Sequence, residues 1–242
     1  MKREYRRWHS PSLGRDMELL IFGHAGAKVL VFPTRDGRFW EYEERGMLAS
    51  LAGKIEAGLI QLVCVDGLAE ETFYAASRPP VERIRRYQAF EAYILNEVMP
   101  MMAERNPHDC TIAHGCSLGA FQALNLAFRH PHRFRKLVAF SGRYDLTLKV
   151  EFFDDLLAGH YDDDVYFNTP THFLPGLDGG FYLDHLRRME IVLVIGSEDP
   201  FLDNNLHLGR LLREKAIPYS LHIWEGRAHK SRYWRQMAPL YV

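Results

Sequence analysis

Apolar runs of strand length alternate with longer amphipathic stretches along most of this chain. The apolar runs cover residues 5–10, 18–22, 28–33, 59–65, 110–113, 136–140, 191–195 and 219–224. Helical periodicity appears at about residues 40–57, 80–105, 120–129 and 204–215, and again from about residue 231. This alternation predicts an α/β fold with a mostly parallel central sheet and helices on both faces. Short turns at residues 13–16 and 23–26 predict that the N-terminal strands are antiparallel.

The regular alternation breaks down between about residues 143 and 184. This stretch is rich in Asp, Pro and aromatic residues, and it mixes short helical patterns with loop. We interpret it as an insertion between two strands that covers the functional site like a small cap. The chain has 242 residues, a length that suits a single α/β domain over residues 1–242.

Composition and charge argue against some classes of binding partner. The formal net charge is -1, so no overall positive field attracts nucleic acid or an acidic membrane. No apolar run approaches the roughly 20 residues that span a bilayer, and the basic N-terminus lacks the apolar segment of a signal peptide. The three cysteines, Cys64, Cys110 and Cys116, lie in or beside apolar stretches. They predict reduced thiols and a cytoplasmic location.

Residues 115–119, Gly-Cys-Ser-Leu-Gly, match the pattern G-x-S-x-G at the point where an apolar strand meets a helix. This is the context of a nucleophile elbow, in which a strained turn exposes a serine hydroxyl at the start of a helix. The flanking glycines avoid clashes with the neighbouring strand and helix. The pattern therefore makes Ser117 a candidate nucleophile, although a simple Gly-Ser turn would have the same letters.

A serine hydroxyl is a weak nucleophile and needs a base, which a carboxylate orients in turn. In α/β folds of this kind the chain order is serine, acid, histidine. Asp199 follows the strand at 191–195, and His229 follows the last strand. Both would lie at the same sheet edge as Ser117, so the three residues predict a catalytic triad.

Other residues in the sequence are alternatives to Asp199 and to His229. Glu198 adjoins Asp199 as an alternative carboxylate, but an Asp-Pro turn leaves the strand at Asp199. Among the 12 histidines, His222 lies inside a predicted strand and His207 in a predicted helix. His185 belongs to the insertion, where contact with substrate is the less probable role.

With these residues in place, the chain resembles the Putative esterase family of α/β-hydrolases. That family includes S-formylglutathione hydrolases, feruloyl and acetyl-xylan esterases, enterochelin esterases and mycolyltransferases. Residues 10–15 (Ser-Pro-Ser-Leu-Gly-Arg) look like its early segment, 115–119 like its elbow and 196–200 (Gly-Ser-Glu-Asp-Pro) like its acid loop. His229 followed by Trp234 is similar to its C-terminal pattern. The resemblance implies an α/β-hydrolase fold and a serine esterase that needs no metal and no organic cofactor.

The resemblance also implies an oxyanion hole made of two backbone N–H groups. By position these belong to Leu118 and Arg35. Many relatives carry His-Gly or Asp-Gly after the third strand, whereas this chain has Pro-Thr-Arg-Asp-Gly at residues 33–37. The expected reaction is two-step acyl transfer on a small-molecule ester.

Several aromatic and charged residues are open to two interpretations. Phe39, Trp40 and Tyr42, with Phe73 and Tyr74, would form an aromatic substrate pocket or pack in the core. Arg35 and Arg38 would meet an anionic substrate or be solvated, and the acidic run 162–164 would bind a cation or form a surface turn. Cys116 is expected to be a small buried filler.

Three functions fit these residues. A serine esterase fits best, and an acyltransferase or a thioesterase acting on a glutathione adduct would use the same triad. A non-catalytic binding protein on a hydrolase fold is the alternative from another class. The sequence leaves the ester's identity open, and a homo-oligomer is compatible with it.

Overall fold

A central eight-stranded sheet forms the middle layer of the computed structural model, which describes residues 1–242. The strands are β1 (Arg3–Ser10), β2 (Arg15–Phe22), β3 (Ala27–Phe32), β4 (Ile60–Val65), β5 (Thr111–Cys116), β6 (Lys136–Phe140), β7 (Glu190–Gly196) and β8 (Ser220–Trp224). Their order across the sheet is β1-β2-β4-β3-β5-β6-β7-β8. Only β2 runs against its two neighbours, and all other pairings are parallel.

The antiparallel pairing at the N-terminal end is therefore confined to β2. The first short turn joins β1 and β2 as a hairpin, but the second turn does not pair β2 with β3. Instead β4 lies between them. A Cβ on Gly26, in that second turn, would lie 2.2 Å from the carbonyl of Leu59, so glycine permits the close passage beside the start of β4.

The α-helices are α1 (Glu41–Glu44), α2 (Met47–Glu56), α3 (Pro80–Tyr93), α4 (Met99–Arg105), α5 (Leu118–Arg129), α6 (Asp163–Phe167), α7 (Pro170–Phe173), α8 (Gly180–Leu186), α9 (Leu202–Glu214) and α10 (Ser231–Tyr241). The expected helix at 40–57 is broken at Gly46, whose φ of 71° belongs to the left-handed region. The expected helix at 80–105 passes through a π-helical turn, Ile94–Val98. Pro100, just after that turn, has no N–H to donate.

Alternate side chains of the strands belong to two different cores, because successive residues of a strand point to opposite faces. In β3, for example, Leu30 and Phe32 contribute to the larger core, and Val29 and Val31 to the smaller one. Residues from α3, α5 and α9 pack in the larger core. Residues from α2 and α10 pack in the smaller core, so helices cover both faces as predicted.

Residues 143–184 form an irregular segment with three short helices, α6, α7 and α8. Its apolar residues are not a separate layer. Leu146, Leu157, Val165 and Leu174 are all fully buried in the larger core together with residues of the sheet. Across the whole chain, no helix has the length and apolar character needed to cross a bilayer.

Candidate active site

The turn between β5 and α5 gives Ser117 an unusual backbone conformation, with φ 56° and ψ -119°. The two glycines of the motif are sterically required around it. A Cβ on Gly115 would lie 2.3 Å from the carbonyl of Gly119. A Cβ on Gly119 would lie 2.3 Å from the carbonyl oxygen of Phe32, at the end of β3. The sharp turn therefore depends on the absence of both side chains.

Three side chains that are far apart in sequence form a chain of hydrogen bonds at this edge. The Ser117 hydroxyl lies 3.0 Å from Nε2 of His229, and Nδ1 of His229 lies 2.8 Å from Oδ2 of Asp199. A carboxylate only accepts, so Nδ1–H donates to Asp199 and Nε2 accepts from Ser117. The structure thus brings together the three residues that the sequence proposed. Each follows the end of a strand: β5, β7 or β8.

The carboxylate of Asp199 is held firmly. Its side chain is fully buried, and its second oxygen, Oδ1, accepts a hydrogen bond from the N–H of Phe201 at 3.0 Å. The neighbouring Glu198 is exposed and forms no hydrogen bond with His229. The structure therefore favours Asp199 over Glu198 as the partner of the imidazole.

The loop that carries His229 is fixed by close backbone packing. Ala228 has a φ of 48°, and a Cβ on Gly196, at the end of β7, would lie 2.2 Å from the carbonyl oxygen of Arg227. From α10, the Trp234 ring packs edge-on against the His229 ring with centroids 5.7 Å apart. Loop and indole together hold the imidazole toward Ser117.

Trp234 also links α10 to the end of β6. Its Nε1–H donates to Oγ of Ser141 at 3.2 Å. Ser141 has a φ of 55° and lines the cavity next to Ser117. The family resemblance singled out Trp234 only as part of a C-terminal pattern, and the structure shows what the indole contacts.

The two N–H groups expected to form an oxyanion hole differ in their placement. Leu118 is the first residue of α5, a position whose N–H has no acceptor within the helix, and it lines the cavity beside Ser117. The N–H of Arg35 donates to no protein group. Its loop follows β3, whose end contacts the start of α5 at Gly119. Arg35 does not line the cavity at Ser117 but borders a larger cavity that shares lining residues with it.

A small cavity of about 30 Å³ opens beside Ser117. Its other lining residues are Tyr74, Leu118, Phe121, Ser141, Arg143, Phe153, Leu156 and Phe201. Tyr74 is the one residue of the expected aromatic pocket that lies here. A cavity needs roughly 10–15 Å³ to hold one water molecule. This cavity therefore has room for a short acyl chain.

Phe39 and Trp40 do not line this cavity, so the structure does not support the alternative that made them part of a substrate pocket. Phe39 is buried in the smaller core, and the Trp40 ring packs edge-on against it with centroids 4.8 Å apart. The cause is Glu41, whose carboxylate accepts hydrogen bonds from the N–H and the hydroxyl of Thr34. These bonds draw the start of α1 back toward the end of β3.

Tyr42 is likewise buried, and its hydroxyl bonds to a histidine that sequence reasoning did not single out. His114, in β5, is fully buried and accepts from Tyr42 through Nε2 at 2.9 Å. Its Nδ1–H donates to the carbonyl of Val138 at 2.8 Å. Burial lowers the pKa of His114 to about 4. Cys116 is buried as expected, and burial raises the pKa of its thiol.

The other candidate residues have structural roles. Asp162 caps α6, where its carboxylate accepts from the N–H of Val165 at 3.0 Å. The His222 ring packs against Tyr241 with centroids 4.6 Å apart, and His185 packs against Phe181 at 4.5 Å. No cluster of His, Cys, Asp and Glu side chains with the arrangement of a metal site occurs in the chain.

Arg143 is the residue at this edge that sequence reasoning missed. It is almost fully buried and lines the cavity at Ser117 as well as a larger neighbouring one. One signal was available, because Arg143 stands three residues after the end of β6. Strand ends of a parallel sheet meet at the edge where the Ser117 loop lies.

Comparisons with known proteins identify the family and the fold. The family model described as Putative esterase matches residues 10–237. A solved ferulic acid esterase is 16% identical, with a TM-score of 0.77 over 99% of this chain and 95% of that chain. S-formylglutathione hydrolase from Staphylococcus aureus is 15% identical, with a TM-score of 0.72 over 99% and 94%.

A third solved structure, the enterobactin esterase from Shigella flexneri, is 21% identical, with a TM-score of 0.65. That match covers 97% of this chain and 56% of the longer enterobactin esterase. No curated protein sequence matches the chain significantly. The chain therefore has the predicted α/β-hydrolase fold, belongs to the Putative esterase family and is a carboxylic-ester hydrolase.

Proposed function

We propose that this protein hydrolyses carboxylic esters through an acyl-enzyme formed on Ser117. The observation that carries the proposal is the hydrogen-bond chain from Ser117 through His229 to Asp199, with distances of 3.0 and 2.8 Å. His229 takes the hydroxyl proton as Ser117 attacks the ester carbonyl. The imidazolium that results is stabilised by the buried carboxylate of Asp199.

The negative charge that develops on the carbonyl oxygen needs donors that are already in place. We assign this role to the N–H of Leu118, at the start of α5, and to the N–H of Arg35, which has no protein acceptor. The dipole of α5 favours the same charge. His229 then returns its proton to the leaving alcohol, and a water activated by His229 releases the acid from Ser117.

The proposal is tested by a fluorophosphonate serine probe together with p-nitrophenyl esters from acetate to decanoate. We expect the wild-type protein to react with the probe and to hydrolyse the esters. We expect Ser117→Ala to abolish labelling and to lower kcat/KM by about a thousandfold or more. Ser50→Ala is the matched control, because Ser50 lies in α2 and its hydroxyl only donates to the carbonyl of Met47.

The chain-length profile tests the shape of the site separately. The cavity beside Ser117 measures about 30 Å³, and the larger space that continues from it is lined by three arginines, Arg35, Arg83 and Arg143. We therefore expect acetate and propionate esters to be preferred over the long apolar chains of octanoate and decanoate. If folded wild-type protein neither labels nor hydrolyses any ester, the catalytic proposal is wrong and a binding role on the same fold takes its place.

A further inference from the structure

A second and larger cavity, of about 290 Å³, lies next to the small one at Ser117. The two cavities share four lining residues: Tyr74, Arg143, Phe153 and Leu156. Together they form one space that begins at the nucleophile and widens away from it. The larger part of a substrate bound at Ser117 can therefore extend into the second cavity.

Arg143 stands at the junction of the two cavities without a carboxylate partner. Its Nε donates to the carbonyl of Asp145, and its Nη2 faces the carbonyls of Leu146, Leu148 and Asp154. Its Nη1 donates to no protein group. The guanidinium forms no salt bridge and is nearly buried, and this burial lowers its pKa. A buried cation with free donors is a ready partner for an anion.

Two further groups face the same space with unused hydrogen-bonding capacity. The hydroxyl of Tyr74 donates to no protein acceptor. The guanidinium of Arg35 lies over the Tyr74 ring, with its central carbon 4.0 Å from the ring centroid. Its nearest carboxylate is the adjacent Asp36, at 3.6 Å. Arg35 thus packs over the Tyr74 ring while its side chain stays about half exposed.

The remaining charges of the second cavity do not cancel this positive character. Arg83 donates to backbone carbonyls only and forms no salt bridge. The carboxylate of Asp155 is engaged by the N–H groups of Leu157 and Gly159. Asp154 is the one acidic side chain of the lining without such a partner, so arginines outnumber free carboxylates here.

We propose that the second cavity binds the alcohol part of the ester, and that this part is an aromatic ring carrying a carboxylate. The carboxylate is bound by Arg143 and Arg35, and the ring packs between Tyr74 and Phe153. With a short acyl group in the small space beside Ser117, the second cavity is left for the alcohol part of the ester. This inference rests on the proposed esterase function.

Two esters of equal shape test the inference: 4-acetoxybenzoate, which is anionic, and 4-acetoxybenzamide, which is neutral. Each rate is divided by the rate of hydroxide-catalysed hydrolysis of the same ester, which removes the difference between the leaving groups. We expect kcat/KM to be about tenfold or more higher for the anion, mainly through a lower KM. The preference should shrink in high salt, because the Arg35 end of the site is exposed.

Three variants separate anion binding from a structural role of the arginines. Arg143→Met should remove most of the preference, and Arg143→Lys should retain part of it, because lysine keeps the charge. Arg35→Gln should reduce the preference about threefold or more without a loss of stability, since its side chain is about half exposed. Arg187→Gln, on the exposed surface where it donates to the carbonyl of Lys215, is the matched control.

If wild-type protein hydrolyses both esters equally, or if Arg143→Met and Arg35→Gln lower both rates by the same factor, the inference is wrong and Arg143 only ties the segment 145–154 together. Labelling of Ser117 and hydrolysis of p-nitrophenyl acetate would still stand in that case. Loss of those two reactions in wild-type protein would overturn the proposed function itself, so the two failures are distinguishable.

Discussion

His114 lies in the middle of the sheet, three residues before Ser117, with both ring nitrogens occupied. A carbonyl only accepts, so the bond to Val138 places a proton on Nδ1, and Nε2 is left to accept from Tyr42. Protonation of Nε2 would turn it into a donor, and the buried hydroxyl of Tyr42 would lose its acceptor. The low pKa of His114 is therefore a direct consequence of where its side chain is buried.

We predict that this histidine makes the protein less stable in mild acid. The pKa of His114 is about 4 in the folded chain and 6.5 ordinarily. Below pH 6.5 the unfolded chain binds a proton that the folded chain does not. The free energy of unfolding should then fall between pH 6.5 and 4, by about 3 kcal/mol in total. Urea unfolding across this range measures the effect.

The variant His114→Gln should flatten this pH dependence, because glutamine offers a donor and an acceptor but does not titrate. Burial alone would raise the pKa of Asp145, but hydrogen bonds from His172 and Thr147 lower it to about 2. The stability that Asp145 contributes is lost only below pH 4, outside the pH range of the His114 effect. An unchanged slope in His114→Gln would show that another group causes the acid sensitivity.

At the scale of elements, the packing of α5 against the end of β3 determines where Ser117 lies. Gly119 is the contact point, since a Cβ there would meet the carbonyl oxygens of Phe32 and Pro33 at 2.3 and 2.6 Å. Both neighbours are backbone atoms and cannot rotate away. Any side chain at Gly119 must therefore push the start of α5, with the N–H of Leu118, away from the sheet.

We predict that Gly119→Ala destabilises the protein by about 1–3 kcal/mol and lowers kcat more than it raises KM. Gly53→Ala is the matched control, because Gly53 lies inside α2 and a Cβ there meets nothing within 4 Å. That control should raise stability by about 0.5–1 kcal/mol. Chemical denaturation and ester hydrolysis of both variants provide the measurements. A Gly119→Ala protein with wild-type kcat would mean that α5 tolerates the shift.

The sequence predicted elements well and loop directions poorly. Ser117, Asp199 and His229 were placed at one sheet edge because parallel strands end together, whatever the loops do. The sequence left two alternatives for Phe39 and Trp40 because the direction of their loop depends on Glu41 binding Thr34, a contact that no periodicity reveals. The second cavity escaped prediction for the same reason. Its residues come from three loops and the first turn of α3, and only the folded insertion brings them together.

For the whole molecule, the way residues 143–184 are buried determines how the protein unfolds. Leu146, Leu157, Val165 and Leu174 are fully buried among side chains of the sheet and of α5. The segment thus has no core of its own that would fold or unfold independently. It shares its buried apolar surface with the parallel sheet.

We predict a single cooperative unfolding transition for the whole chain. In calorimetry the van't Hoff and calorimetric enthalpies should agree, and far-ultraviolet circular dichroism and tryptophan fluorescence should report the same midpoint. Leu174→Ala should lower the free energy of unfolding by about 2–5 kcal/mol. The unfolding should remain a single transition. An early, separate transition of part of the chain would show that the insertion opens on its own.

The segments that line the second cavity differ from the loops that carry Ser117, Asp199 and His229. Ser117, Asp199 and His229 stand on loops after β5, β7 and β8, whereas the walls of the second cavity come from residues 35, 73–83 and 143–156. Residue 35 is set aside because its N–H belongs to the proposed oxyanion hole. Random substitution in the other two wall segments would change which esters are accepted while the proposed hydrolytic step stays intact. Directed evolution of ester selectivity in this protein therefore needs only a small library of variants.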